Sequence, residues 1–515
     1  MSEIPNKEGH DVRFLTFNVN GIRTLFHYHP FSSMNSSLSH VFDYFQSDII
    51  TFQELKTDAL SLTKWGKVNG FHSFISLPLK RKGYSGVGCW VRIPKPGDSL
   101  SSVIQVTKAE EGVTGYLQVR AGKSNTRYRD NRAIGIGGYE GLGIEDEADA
   151  LNIDSEGRCV MVELICNMVI ISTYCPANSS QTDEGEEIRI KFLKVLFRRI
   201  RNLQALGKKV VLMGDINVCR DLIDHAEALK EAHIFVTDLT KGTQVEQTYS
   251  ASVKDFIFAP SRPARRLLNE MLTDSVLKPL AESGSLIDTT RCIQGRDRMK
   301  MYTVWNTLRN SRPVNFGSRI DYILLTASLE KDLKKADIWP RVMGSDHCPV
   351  FADIQLHNEA KLVTREPNSV PPFEARYRHN LNHRDILSMF SKPVKSNSKE
   401  STVLEQSSSR VQKNTSAQAQ TRLRPTSTIH RSVNAHEGGA KSAKNAGSSS
   451  IKKPDSFFQM LNGMLDKPPM CKHNENAILR TSKTKNNPGK KFWACARPSG
   501  GENDKEASCS FFQWK

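Results

Sequence analysis

The chain reads as an α/β protein with polar residues gathered at strand ends, followed by a polar linker and a small cysteine-containing unit. Three observations predict this. Short alternating apolar segments recur over about residues 11–356 and stop on Asn, Glu, Asp, Tyr or His. An amphipathic helical pattern spans residues 186–206, with Phe192, Leu196, Ile200 and Leu203 recurring on one face. Beyond about residue 360 the composition changes: residues 391–450 hold 19 Ser or Thr, 10 basic and 3 acidic residues and no aromatic. Such a segment buries too little apolar surface to offset its ordering entropy, so disorder is expected there.

The bulk numbers bound the function. With 515 residues the chain can hold more than one domain and a large core. Lys and Arg number 72 against 55 Asp and Glu, a formal charge of +17, which suits a polyanionic partner, nucleic acid first and an acidic membrane second. No apolar run approaches a membrane span and residues 1–8 lack a signal-peptide core, so a soluble intracellular protein without a membrane partner is expected. Seven of the ten cysteines are scattered from Cys89 to Cys348, the pattern of reduced, buried thiols.

Each element follows from its pattern. Residues 13–21 alternate and stop at Asn20-Gly21, a strand that places Asn18 and Asn20 at its C-terminal edge. Residues 48–54 repeat the pattern and end on Glu54. Residues 83–90 form a glycine-punctuated strand, whose glycines serve either a close ligand or a bulge. Residues 120–157 are polar and glycine-rich and read as an insertion. Residues 159–165 and 168–174 read as a hairpin joined at Cys166-Asn167, whose second strand delivers Tyr174. The helix over 186–206 closes at Gly207. Residues 209–213 are a short buried strand running into Gly214-Asp215-Ile216-Asn217, with Asp215 and Asn217 on one side of the chain. Residues 319–325 carry Asp321 near a strand's start. In Gly344-Ser345-Asp346-His347-Cys348-Pro349-Val350 a turn leads through Asp-His into a strand. The carboxylate suits a hard cation, and the imidazole suits a phosphate or a proton. One polar strand end is an ordinary solvated terminus; five or six point to an active site along a sheet edge.

Seven segments carry a family resemblance: Phe17-Asn18-Val19-Asn20-Gly21-Ile22-Arg23, Gln53-Glu54-Leu55-Lys56, Gly83-Tyr84-Ser85-Gly86-Val87-Gly88, Tyr174-Cys175-Pro176, Gly214-Asp215-Ile216-Asn217-Val218, Arg319-Ile320-Asp321-Tyr322 and Gly344-Ser345-Asp346-His347-Cys348-Pro349. In that order they resemble the exonuclease III class of AP endonucleases, within the endonuclease/exonuclease/phosphatase superfamily. The C-terminal unit makes the whole similar to the AP endonuclease 2 branch, in a fungal form. The resemblance implies a four-layered α/β sandwich, two packed sheets with helices outside. It implies a nuclear DNA-repair nuclease that uses Mg²⁺, or Mn²⁺, to hydrolyse DNA phosphodiesters. Its activities would be 3′-phosphodiesterase, 3′→5′ exonuclease and incision 5′ to abasic sites in base excision repair, on double-stranded DNA with abasic sites or 3′ ends. The alternatives are an RNA deadenylase or phosphoinositide phosphatase on the same fold, and a non-catalytic DNA-bound scaffold.

The resemblance also implies roles. Glu54 would be the main Mg²⁺ ligand, with Asn18 near it and Asp346 as a further metal or supporting carboxylate. Asp215 would orient or deprotonate water, and Asn217 would hold that water; in some family models this pair also touches a second metal. His347 would contact the phosphate with Asp321 fixing its ring, and Tyr174 would donate to a phosphate oxygen or the leaving group. Three positions depart from the best-known family enzymes. Asn20 stands where they carry Asp, and Val304 and Ser318 stand where they carry Phe and Trp walling the abasic pocket. A wider pocket shifts the expectation toward 3′ ends over AP incision.

The expected boundaries are a flexible N-terminus over 1–10, a catalytic domain over 11–358, a largely disordered linker over 359–466 and a finger over 467–515. Cys471, His473, Cys495 and Cys509 supply three thiolates and an imidazole, suiting a closed tetrahedral Zn²⁺ site. The residues around them resemble a GRF-type zinc finger, with Lys where the name-giving Arg would stand. Its 49 residues hold 10 basic and 4 acidic side chains, which together with its aromatics suit single-stranded DNA. Arg480, Lys490, Lys491 and Trp493 are the expected contacts; the alternative is that some rings, Phe511 and Phe512 especially, form its small core instead. Two linker islands, 383–390 and 451–461, resemble sliding-clamp motifs for proliferating cell nuclear antigen, or else are docking segments for the main domain.

Overall fold

The computed structural model describes residues 4–79, 83–178, 182–358, 370–381, 469–482, 487, 489–497 and 507–515. Both clamp-like islands and the 391–450 tract lie outside these residues. Twelve strands build two six-stranded sheets: β1 (Val12–Asn18), β2 (Ile49–Gln53), β3 (Phe71–Ser76), β4 (Val87–Arg92), β5 (Val106–Glu111), β6 (Cys159–Leu164), β7 (Met168–Tyr174), β8 (Lys209–Asp215), β9 (Leu286–Asp288), β10 (Asp321–Thr326), β11 (Leu333–Ile338) and β12 (Val350–Ile354). The first sheet runs β11-β12-β1-β2-β4-β3 and the second β9-β10-β8-β7-β6-β5.

Alternation of side chains decides which face each residue takes. On β1, Val12 and Phe14 enter the core between the sheets, whereas Leu15 and Phe17 join the core under the helix Leu38–Phe45. On β8, Val211 and Met213 face the first sheet, and Val210 and Leu212 pack under the helix Asp183–Ala205. Helices therefore cover both outer faces, giving the four layers. The long helix starts at Thr182, whose hydroxyl accepts the Gly185 N–H, and carries Asp183, Glu184 and Glu186 in its first turn, where the helix dipole favours negative charge.

The strand expected from residue 83 begins at Val87; Gly83, Ser85 and Gly86 have positive φ and form the turn before it. The 120–157 insertion carries a hairpin strand, Ser124–Arg127, and the helix Glu147–Asp154. It is tied down by the buried Asp154 carboxylate, which accepts from Val113 N at 2.6 Å and Thr114 N at 3.1 Å. Burial holds the Asp154 pKa up, at about 6. Between β8 and β10 a mainly helical excursion is clamped by buried ion pairs, with Arg319 reaching Asp224 and Asp288 at 2.6 Å each. One boundary is corrected. Residues 370–381, expected in the linker, pack on β3, with Phe373 and Ala375 fully buried. No helix among the described residues is long and apolar enough to cross a membrane.

Candidate active site and zinc centre

Strand register assembles the site. Asp215 lies opposite Tyr174 on the parallel β7 and opposite Asp321 on the antiparallel β10. Parity turns all three side chains toward the first sheet, because Met213 and Ile323, two residues from Asp215 and Asp321, and Ile170, four residues from Tyr174, sit in the inter-sheet core. Asn18 ends β1 with the same parity and crosses the gap: its amide donates to Asp215 Oδ2 and to Glu54 Oε1, both at 2.9 Å. Glu54 follows β2, where simple alternation would point it outward. Its φ of +51° turns it back. Asn20, Lys56, Ser85 and Asn217 share this left-handed conformation, the kind of local strain that concentrates at functional sites.

From Glu54 the contacts continue to the loop before β12. Lys56 Nζ lies 2.8 Å from Glu54 Oε2 and donates to Asn20 Oδ1, and the Asn20 amide donates to Asp346 Oδ1 at 2.9 Å. On the other side His347 Nδ1 meets Asp321 Oδ2 at 2.8 Å, and its Nε2 lies 3.9 Å from Asp215 Oδ2. Thr303 Oγ1 donates to the same Asp321 oxygen at 2.6 Å. Asn217 is locked by its N–H on Asp215 Oδ1 and by its amide on Cys175 O, both at 2.9 Å.

These placements set the charges. Burial would lower the His347 pKa, but Asp321, Asp215 and Asp346 outweigh it and raise it to about 10, so the ring is an imidazolium at neutral pH. Burial, then Asp321, raises Asp215 to about 8, against the pull of His347 and Asn18. Burial, then Glu54 and Asp215, pushes the Tyr174 phenol well up, so it remains a proton donor. Glu54, Asp215 and His347 offer ligand atoms all within 4.8 Å of one another, so a cation there would compete with the His347 proton. Glu54, Asn18 and Asp346 carry the oxygens that could hold a hard cation, and the Lys56 ammonium lies beside Glu54 at 2.8 Å.

All the expected main-site residues come together. Lys56, Tyr84 and Arg158 join them without having been singled out. Arg158 lies 5.1 Å over the Tyr174 ring, donates to Tyr174 O at 3.2 Å and to the Tyr84 hydroxyl, and so braces Tyr174. Lys56 and Tyr84 stand inside motif segments, a signal that could have found them; Arg158, just before β6, gives none. Val304 and Ser318 face each other in a two-residue ladder, and Val304 also bridges to His347.

In the C-terminal unit Cys471, His473, Cys495 and Cys509 offer ligand atoms all within 4.8 Å of one another. His473 Nδ1 lies 3.7 Å from Cys471 Sγ and 3.5 Å from Cys495 Sγ. A tetrahedral Zn²⁺, with bonds of ~2.3 Å to sulfur and ~2.0 Å to nitrogen, spans about 3.6 Å along an S–N edge, so these residues fit the ion. Three strands, Ile478–Thr481, Lys491–Ala494 and Phe512–Trp514, form its sheet. Arg480, Phe492 and Trp514 are in register and share one face, where Phe492 and Phe512 approach to 4.9 Å and Phe512 and Trp514 to 5.0 Å. Phe512 is 53 % exposed, against the alternative that it belongs to a small core; Phe511 is half-buried. Trp493 lies on the opposite face, half-buried, with Lys515 over its ring at 5.8 Å. Arg480, Lys490 and Lys491 are exposed.

Comparison with known proteins decides the family. The Endonuclease/Exonuclease/phosphatase family model matches residues 15–347, and the GRF zinc finger model matches residues 469–515. The Saccharomyces cerevisiae protein named DNA-(apurinic or apyrimidinic site) endonuclease 2 is 51% identical over 514 residues, covering 99% of this chain and 98% of its own. The chain belongs to the AP endonuclease 2 branch of the endonuclease/exonuclease/phosphatase family. The Schizosaccharomyces pombe member of this branch is 34% identical across 74% of this chain and 65% of its own. The crystal structure of the Xenopus laevis APE2 catalytic domain superposes with a TM-score of 0.53 at 26% identity, covering 72% of this chain and 99% of that one. Nucleases of this family depend on a metal ion, and this chain combines the family's domain with a GRF finger.

Proposed function

We propose that the chain is a Mg²⁺-dependent DNA-repair nuclease of the nucleus. It hydrolyses phosphodiesters at 3′-blocked ends and at 3′ termini, and incises 5′ to abasic sites. The observation that carries this is the unbroken line of contacts from Asp346 through Asn20, Lys56, Glu54, Asn18, Asp215 and His347 to Asp321. This line supports a reading with cation donors at one end and an acid–base pair at the other.

Glu54, Asn18 and Asp346 would hold the cation, which supplies Lewis acidity at a phosphate oxygen. Asp215, with its pKa held near neutrality, takes a proton from water as the oxygen–phosphorus bond forms. Asn217 steadies that water. The His347 imidazolium and the Tyr174 phenol donate to the phosphate oxygens as charge builds on the five-coordinate phosphorus. The bond from phosphorus to the 3′-oxygen then breaks, and Tyr174 can return a proton to that leaving oxygen. The finger's exposed Arg480, Lys490 and Lys491 support a grip on single-stranded DNA, and Phe492, Phe512 and Trp514 offer rings for its bases, in place of Trp493. The islands at 383–390 and 451–461 remain proposals for a sliding-clamp contact.

The test uses purified protein with Mg²⁺ on matched duplexes bearing an internal abasic site, a 3′-phosphoglycolate or a recessed 3′ end. Glu54→Ala and Asp215→Ala should each lower kcat on all three by on the order of 10³-fold, with duplex affinity nearly unchanged. Near-wild-type turnover in either variant overturns the site assignment.

A further inference from the structure

The loop that delivers Asp346 and His347 is held by a residue outside the motif segments. Arg312 lies in the connection between Val304–Trp305 and Gly317–Ser318. Its guanidinium spends four hydrogen bonds on three backbone carbonyls of the 340–345 turn. Nε and Nη2 donate to Pro340 O at 3.2 and 2.9 Å, Nη2 to Val342 O at 2.8 Å, and Nη1 to Ser345 O at 2.8 Å. The ring of Trp305 lies 4.4 Å beneath it, and the Trp305 N–H donates to Asp346 O at 3.0 Å. Among the described residues no carboxylate forms an ion pair with Arg312, and Asp346 is the nearby acid whose field it feels. An arginine that pairs with carbonyls rather than with an acid acts as a geometric fork: its planar donors fix three backbone atoms at once.

We propose that Arg312 is a positioning residue for the cation end of the site. By pinning the 340–345 turn it sets where the Asp346 carboxylate stands relative to Asn20 and Glu54. The inference rests on the assignment of Glu54 and Asp346 as cation ligands. Partners that orient ligands are worth about 10–100-fold in metal affinity, and the effect here should fall at the low end, because Asp346 keeps its own bonds to Asn20 and Ser345.

The experiment measures Mn²⁺ binding by electron paramagnetic resonance on the full-length protein without DNA, together with kcat and KM on abasic-site and 3′-end duplexes. Arg312→Gln should weaken Mn²⁺ binding about tenfold and lower kcat on both substrates alike, with KM little changed. Arg312→Lys keeps the charge and the stem but not the fork, and should remain weakened. Arg309→Gln, an exposed arginine on the same loop, should match wild type. Wild-type Mn²⁺ affinity in Arg312→Lys or Arg312→Gln overturns the proposal, as does a change confined to KM or an equal loss in Arg309→Gln. If Arg312→Gln does not melt cooperatively, the lysine variant alone decides. Glu54→Ala is the separate check: if it still binds Mn²⁺ normally, the ligand assignment itself fails.

Discussion

Burial alone would strip the proton from His347; Asp321 at 2.8 Å keeps it there. The sign of the consequence is fixed. The folded pKa lies above the usual value of 6.5, so the charged ring persists through neutral pH and is lost only as pH rises toward about 10. Asp321→Asn removes the largest raising interaction and leaves burial opposed by the more distant acids, so the pKa should fall to the ordinary value or below. The variant should then lose its imidazolium as pH rises from 6 to 8. Its kcat should decline over that interval while wild type shows no such limb from this group. A pH profile of kcat at saturating DNA and metal checks this, and a variant profile parallel to wild type would refute the assignment. Lys56 shows the complementary effect of a fixed positive charge. With Asn20 in place of an acid, the cation end has one carboxylate fewer, and the ammonium bridges Asn20 to Glu54.

Elements carry these residues with different legibility. Asn18, Tyr174, Asp215 and Asp321 are readable from sequence, since two-residue alternation alone assigns each to the inter-sheet face. Glu54 is readable as a strand end but not in direction, because a positive φ reverses it. Arg158 and Arg312 are not readable, because they brace side chains and carbonyls that are remote along the chain or unmarked by any pattern. The 370–381 strap is hidden by its Pro-rich, polar surroundings. Its role follows from the sheet order: β3 is an edge strand, and an edge needs cover. Glu374 accepts from Ser73 N at 3.5 Å and Arg376 donates to Phe71 O at 3.0 Å, so side chains stand in for a neighbouring strand. Phe373 anchors this cover between the rings of Phe74 and Tyr128, at 6.2 and 6.4 Å. Phe373→Ala should cost about 3–5 kcal/mol in chemical denaturation. A loss below about 1 kcal/mol would show that the strap only rests on the domain.

On the scale of the whole molecule the positive charge is unevenly spread. Residues 391–450 carry 10 basic and 3 acidic side chains and residues 467–515 carry 10 and 4, against a total of +17. Most of the excess therefore lies outside the catalytic sandwich, and attraction to DNA backbone should be strongest there. A unit as small as the finger has little core, and two of its rings, Phe512 and Trp514, are spent on an exposed face. Its fold should rest on the ion that Cys471, His473, Cys495 and Cys509 would hold. Cys495→Ala should unfold the finger and release zinc while the sandwich keeps its stability. Single-strand affinity should fall, and so should processive 3′→5′ digestion, which needs a second hold on the DNA. Incision at an internal abasic site should fall much less, because the sandwich engages that duplex itself. Lys490→Glu should reproduce the binding loss with zinc retained, and its effect should shrink as salt rises, since an exposed ammonium acts on phosphates through a screened field. Zinc content, single-strand affinity at two salt concentrations and both activities should be measured for each variant. Equal falls in exonuclease and incision, or normal single-strand binding by Cys495→Ala, would mean that the finger is not the second grip.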